Sequence, residues 1–194
     1  MMRTAEINHL GRMFSSLRLF TLFFLNACDK IVKYGKGGIP MEHQFHAAQL
    51  FLDGYNCAQA IAVAFADVTG LDESFSAKMA SSFGGGIGRL REVCGAVSGM
   101  VMVAGLLYGY DASTDEENKK LHYQRVQELA LRFREEVGSM ICREILKNPP
   151  SDPNPTPRTA EFYKQRPCTH MVMVAARILD EYIENNPPQG TEAK

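Results

Sequence analysis

The chain has no tryptophan and no two cysteines spaced as CxxC. Zinc sites are usually built from such close pairs, so spacing alone does not announce one here. There is also no CxxCH, which removes covalent haem attachment. Charge of one sign is lacking too: 21 Lys and Arg stand against 22 Asp and Glu, for a net charge of -1. With no basic stripe and no interleaved aromatics, nucleic-acid binding is not expected. No apolar run is long enough to cross a bilayer as a helix. Strand-like alternation and internal repeats are also missing.

What is present is an ordinary globular composition, 45% hydrophobic and 22% charged over 194 residues. That is enough for one domain with a real core. The five cysteines are an odd number, which fits poorly with a fully paired extracellular framework. Four functional cysteines and one bystander fit better. The bystander is Cys28, at the end of a segment unlike the rest. Arg3, Arg12 and Arg18 precede the apolar run from Leu19 to Leu25, the layout of an export signal. Residues 1–40 are read as an N-terminal extension lying ahead of the true start, which gives a cytoplasmic protein. The alternative is an exported protein anchored by a lipid on Cys28. The domain itself is expected over 41–184, with a polar tail over 185–194.

Apolar spacing predicts helices over 42–53, from Cys57 to about Val68 behind an Asn56 cap, and from Glu73 to Ser82. The Gly84-Gly85-Gly86-Ile87-Gly88 loop follows. A central buried helix is expected from about Cys94 to Gly109. A long amphipathic helix runs from about Ser113 to Val137, and a short one holds Cys142 behind a Ser139 cap. Pro149 to Pro157 is read as a loop, and a last helix runs from Cys168 to Glu184. The fold class is all-α, a compact bundle of about six helices. Gly95 and Gly99 share one helix face, so another backbone, that of the Cys57 helix, is expected to cross there.

Cys57, Cys94, Cys142 and Cys168 all fall at predicted helix starts. The free N–H groups and partial positive charge there favour a thiolate, the form that ligates metals and attacks disulfides. Arg89 and Arg91 add charge near Cys94, and Arg143 lies beside Cys142. A lone cysteine is as often a small buried hydrophobe. It is the recurrence at four helix starts that argues for a shared site.

The stretches Gly54-Tyr55-Asn56-Cys57-Ala58-Gln59-Ala60, Phe83-Gly84-Gly85-Gly86-Ile87-Gly88 and Cys94-Gly95-Ala96-Val97-Ser98-Gly99, followed by single cysteines at 142 and 168, resemble the C-GCAxxG-C-C family of redox-active proteins. The resemblance covers about residues 44–182. It implies a small helical domain with four characteristic cysteines. It also implies a distant similarity to split-Soret cytochromes c, where such cysteines are associated with an iron–sulfur cluster.

The expected function is therefore redox, with Cys57, Cys94, Cys142 and Cys168 as iron–sulfur ligands or as dithiol pairs. In the thiol version Cys94 is the attacking thiolate and Cys57 its partner. Gly84, Gly85, Gly86 and Gly95 are expected against the cofactor, their N–H groups turned toward sulfur near Cys94. A redox partner protein is expected, and a homodimer is left open. The alternatives are a non-catalytic zinc or soft-metal module and a helical interaction domain. The glycine loop lacks the P-loop Lys and Ser/Thr and the GxGxxG spacing. His170 and the pair His43 and His46 are weaker ligand candidates, read as ordinary surface residues. No substrate is named by the sequence.

Overall fold

Asn56, Asp72, Asp115 and Thr159 each turn a side-chain oxygen to a free N–H of the helix that follows, and these caps set where the main elements begin. The computed structural model of the protein describes residues 42–188; Cys28, the rest of the N-terminal extension and residues 189–194 lie outside them. The elements are α1 (Glu42–Leu52), α2 (Cys57–Ala64), α3 (Ala66–Thr69), α4 (Glu73–Ala80), a 3₁₀ turn (Ser81–Phe83), α5 (Gly95–Tyr108), α6 (Glu116–Val137), α7 (Cys142–Ile145), α8 (Ala160–Gln165) and α9 (Cys168–Asn185). The protein is all-α, and no strand is assigned among the described residues.

Nine helices are present among the described residues rather than about six. The expected 57–68 helix breaks at the buried Phe65, and α3 then ends on Gly70 in the left-handed region at φ +69. The α8 helix is too short for apolar periodicity to mark it. Ser139 does not cap α7: the cap residue is Ile141, whose own N–H donates to the Ser139 hydroxyl at 3.0 Å.

The core is centred on α2, in which every residue but Gln59 is buried. It packs between α1, α4 and α5, while α9 closes the other side against α1, α5 and α6. The α5 helix is buried all round over its first half and on one face only beyond it. Its first half and Val103 and Ala104 are inside, but Leu106 is 47% exposed. No helix among the described residues is long and apolar enough to cross a membrane.

The α2–α5 crossing occurs at the two glycines. A Cβ on Gly99 would lie 2.8 Å from the Ala58 carbonyl oxygen and 2.8 Å from Ile61 Cβ; on Gly95 it would lie 3.1 Å from Cys57 Cβ. Only hydrogen fits at Gly99, so the backbones meet there and Cys57 is drawn up to Cys94.

A second device ties α1, α3 and α9. The His43 ring bonds Asp180 through Nδ1 at 2.6 Å and Asp67 through Nε2 at 3.2 Å, and stacks on Phe65 at 4.3 Å. Burial alone would lower its pKa, but the two carboxylates outweigh burial and raise it to about 9. His43 is thus a structural imidazolium, while His46 and His170 are exposed.

Candidate four-cysteine site

The four cysteines come from four separate parts of the chain, and a different local device places each. Cys57 opens α2 behind a full capping box. The Asn56 side chain accepts from Ala58 and Gln59 N–H groups at 3.0 Å, and Gln59 accepts from the Asn56 N–H at 3.1 Å. The same two side chains reach outward, Asn56 to the Ser81 carbonyl and Gln59 to that of Ala77, and lock Cys57 against α4. Gly84 is the glycine that lets this cap exist, because a Cβ there would sit 2.4 Å from Asn56 Cγ.

Cys94 and Cys142 are placed together. An isolated antiparallel bridge joins Val93 to Ile141. Around it Cys94 N–H donates to the Met140 carbonyl at 2.8 Å and Cys142 N–H to the Glu92 carbonyl at 2.7 Å. The two cysteines flank one bridged pair, and each then starts a helix, α5 and α7. Gly86, at φ +72, passes behind Cys142, where a Cβ would come within 2.8 Å of the Cys142 Cβ. Cys168 opens α9 directly after Pro167, which closes the first turn by accepting from Met171 N–H at 3.0 Å.

All four cysteines line one cavity of about 330 Å³. All four thiols are free; Cys57, Cys94 and Cys142 are buried and Cys168 is half-buried. Gly84, Gly85 and Gly95 are also on the wall; Gly86 supports Cys142 from behind. The charged residues of the lining are Arg89, Arg158 and Arg166, with no carboxylate. Arg89 ties the proline-rich segment down by donating to the Asp152 carbonyl at 2.7 Å and to Thr156 at 3.1 Å. Pro153, Pro155 and Thr156 thereby become part of the wall. Arg158 lies over the rings of Phe51, at 4.7 Å, and Phe162, at 4.9 Å.

Burial decides the thiol chemistry at Cys94 and Cys142 and contributes at Cys57. Cys94 is pushed up to about 12 by burial, although the N–H groups of Ala96 and Val97 lean toward its sulfur and favour the anion. Those groups belong to α5 itself and not to the glycine loop, and they do not close a full cap hydrogen bond. Cys142 is also raised by burial, opposed by the hydrogen bond and charge of Arg91. Cys57 is raised well above the usual thiol value, first by its hydrogen bond to Cys168 and then by burial. Cys168 alone is lowered, to about 7, first because the Cys57 S–H donates to its sulfur and then through Arg166, Arg158 and Arg91.

The helix-start argument therefore gives way to desolvation at Cys94 and Cys142, and at Cys57 to the bond with Cys168 and then to desolvation. The electrostatics lower Cys168 and raise Cys94, the reverse of the order that an attacking Cys94 thiolate requires. The arginine roles differ from expectation as well. Arg91 serves Cys142 and not Cys94, and Arg143 is turned away into an ion pair with Glu92 at 2.6 Å. Sequence reasoning did not find Arg158, Arg166 or the proline segment as parts of the site. A signal was present in Pro167 and Arg166 directly before Cys168.

Among the described residues no group of three or more His, Cys, Asp and Glu side chains is arranged to hold a single metal ion. The donor set is nevertheless coherent: four soft thiols, no carboxylate or histidine among the described residues of the wall, and guanidinium charge around them. Four thiolates around a void larger than one ion fit an iron–sulfur cluster.

A family model described as "Putative redox-active protein (C_GCAxxG_C_C)" matches residues 55–182. The chain belongs to this family. No curated protein and no solved structure matches it.

Proposed function

We propose that this family member is a redox protein in which Cys57, Cys94, Cys142 and Cys168 hold an iron–sulfur cluster. The observation that carries the reading is the convergence of all four thiols, from four distant helix starts, on one arginine-rimmed cavity. A single dithiol uses two sulfurs and leaves Cys94 and Cys142 without a task, and two separate pairs need no shared cavity; a cluster uses all four sulfurs in one place. Bound there, a cluster supplies one-electron transfer. The chain supplies the rest. The capping box and the Val93–Ile141 bridge fix three of the ligands on stiff backbone. Apolar Phe51, Phe162 and Met171 limit water, and the arginines offset the negative charge that four thiolates bring. An electron-donating or electron-accepting protein would complete the cycle.

The test is anaerobic purification followed by iron and acid-labile sulfide analysis and visible absorbance. Brown protein with matched iron and sulfide, lost in Cys94→Ser and in Cys142→Ser, is expected. Colourless protein without iron refutes the reading.

Cys57 and Cys168 line the same cavity and shift in opposite directions, Cys57 up and Cys168 down, which supports a second reading. Here the Cys168 thiolate attacks a disulfide of a partner protein and releases one partner thiolate. Cys57, after losing its proton, attacks the Cys168 sulfur and releases the second. Two electrons pass to the partner and a Cys57–Cys168 disulfide remains. Under this reading Cys94→Ser and Cys142→Ser retain activity in disulfide reduction, which separates the two.

A further inference from the structure

Arg91 is a buried arginine, only 2% exposed. Its backbone is left-handed, at φ +66, in a loop where Ile87 and Arg89 are also left-handed. The conformation is held on both sides: Arg91 N–H donates to the Gly85 carbonyl at 3.3 Å, and the Arg91 carbonyl accepts from Arg143 N–H at 3.0 Å. The second bond sets Arg91 beside Cys142, whose own N–H is bonded to the next residue, Glu92. The side chain then folds inward. Its Nε donates to the Pro150 carbonyl at 3.2 Å, its Nη1 lies close to Gly85, a wall residue of the same cavity as Cys142, and its charge opposes the rise that burial gives the Cys142 thiol.

Two nearby acids are already committed. Asp152 is paired with Arg89 and Glu92 with Arg143. A guanidinium cannot shed its proton, so burial leaves it needing an anion. The Pro150 carbonyl supplies a dipole and not a charge. The unpaired groups near Arg91 that can carry a negative charge are sulfurs of the site: that of Cys142, to which the backbone ladder brings it, and that of Cys168, which its charge also lowers.

We propose that Arg91 is the fixed counter-cation of the four-cysteine site, acting through the Cys142 sulfur to stabilise the more negative, reduced state. This rests on the cluster reading above. Arg91 is a positioning residue: it lies behind Cys142 and is not itself on the cavity wall. Positive charge next to a redox centre favours the reduced form, so its loss lowers the reduction potential.

The experiment is redox titration of the iron-loaded full chain, followed by visible absorbance, for wild type, Arg91→Gln, Arg91→Lys and Arg143→Gln. Circular dichroism reports folding. Arg91→Gln is expected to shift the midpoint negative by at least the equivalent of a tenfold change in equilibrium constant, about 59 mV for one electron. Arg91→Lys keeps the charge and stays near wild type. Arg143→Gln removes an equal charge from an exposed, already paired position and also stays near wild type. A folded, loaded Arg91→Gln protein with the wild-type midpoint overturns the proposal. So does Arg91→Lys with a tenfold shift, which keeps the idea refutable even if the glutamine variant does not fold. A wild type that takes up no iron overturns the cluster reading and this assignment with it.

Discussion

Replacing Gly99 by alanine adds a single methyl group at the tightest point of the α2–α5 crossing. That methyl would stand 2.8 Å from the Ala58 carbonyl oxygen, 2.8 Å from Ile61 Cβ and 3.2 Å from Ala58 Cα. Two of these atoms are backbone, so no rotamer change relieves the overlap and α2 itself has to move. Alanine in a helix interior gains about 1 kcal/mol over glycine. Overpacking a tight core contact costs about 1–3 kcal/mol. The net change for Gly99→Ala is therefore a loss of about 0–2 kcal/mol. Gly105, on the same helix, is the control, because a Cβ there meets nothing within 4 Å. Gly105→Ala keeps the propensity gain of about 1 kcal/mol without the overlap. Gly109 is no substitute: it ends α5, and a Cβ there would lie 2.2 Å from the Gly105 carbonyl oxygen. Urea denaturation of the metal-free protein is the assay, and the two variants should separate by about 1–3 kcal/mol with opposite signs. In thermal melts that corresponds to a gap of about 2–12 °C. Because α2 carries Cys57, Gly99→Ala should also reduce iron loading. Equal stability for the two variants, with unchanged loading, refutes the close approach as the reason for glycine at 99.

In metal-free protein, alkylation should reach Cys168 first, with a rate that rises through pH about 7, while Cys94 stays unreactive until far higher pH; Cys57→Ala removes the S–H donor and should move the Cys168 profile to higher pH, and an unmoved profile counts against the pair. His43 has a folded-state pKa raised to about 9 from 6.5. Its contribution to stability is complete below pH about 6.5 and is lost as pH rises through 9; denaturant midpoints should fall across that window in wild type and stay flatter in His43→Gln. Gly86→Ala combines a left-handed φ of +72 with a Cβ 2.7 Å from the Glu92 nitrogen, so it should destabilise by more than the roughly 1–2 kcal/mol of the backbone strain alone, measured by urea midpoint. The described cavity residues lie between Phe51 and Met171, so removing residues 1–40 should leave iron per protein unchanged; a loss would tie the extension to the site.

The parts of the site that sequence made legible are those governed by local rules. Asn56 and Gln59 three residues apart spell a capping box, and Cys57 follows from it. Gly95 and Gly99 share a helix face, and their spacing announces a close backbone neighbour whatever that neighbour is. Pro167 marks a helix start, and Cys168 sits on it. What was not legible depends on pairings that no local pattern encodes. One bridged residue pair, Val93 with Ile141, has no alternation to read, yet it sets Cys94 beside Cys142. His43 and Asp180 are 137 residues apart in sequence. Arg89, Arg91 and Arg143 look interchangeable in one dimension. Their fates differ because the glycine loop turns left-handed at Arg89 and Arg91, sending one side chain to Asp152 and the other beneath Cys142.

The order of thiol acidities follows from the same architecture. A helix start offers a cysteine only partial charges, and their pull falls off within one turn. Desolvation of an anion is the larger effect when the sulfur is buried, and Cys94 shows this most plainly, since it has N–H groups beside it and is still pushed up to about 12. At Cys168 the bond from Cys57 reverses the balance first, and full positive charge adds to it. Cys168 is half-buried, faces Arg158 and Arg166, and receives the Cys57 S–H. Four such sulfurs cannot all ionise on the strength of helix starts, because each new thiolate raises the others. The cluster of guanidiniums around the cavity is thus not incidental to a site of four cysteines. On the cluster reading it supplies countercharge to four buried sulfurs, in keeping with a wall that, among the described residues, holds three arginines and no carboxylate.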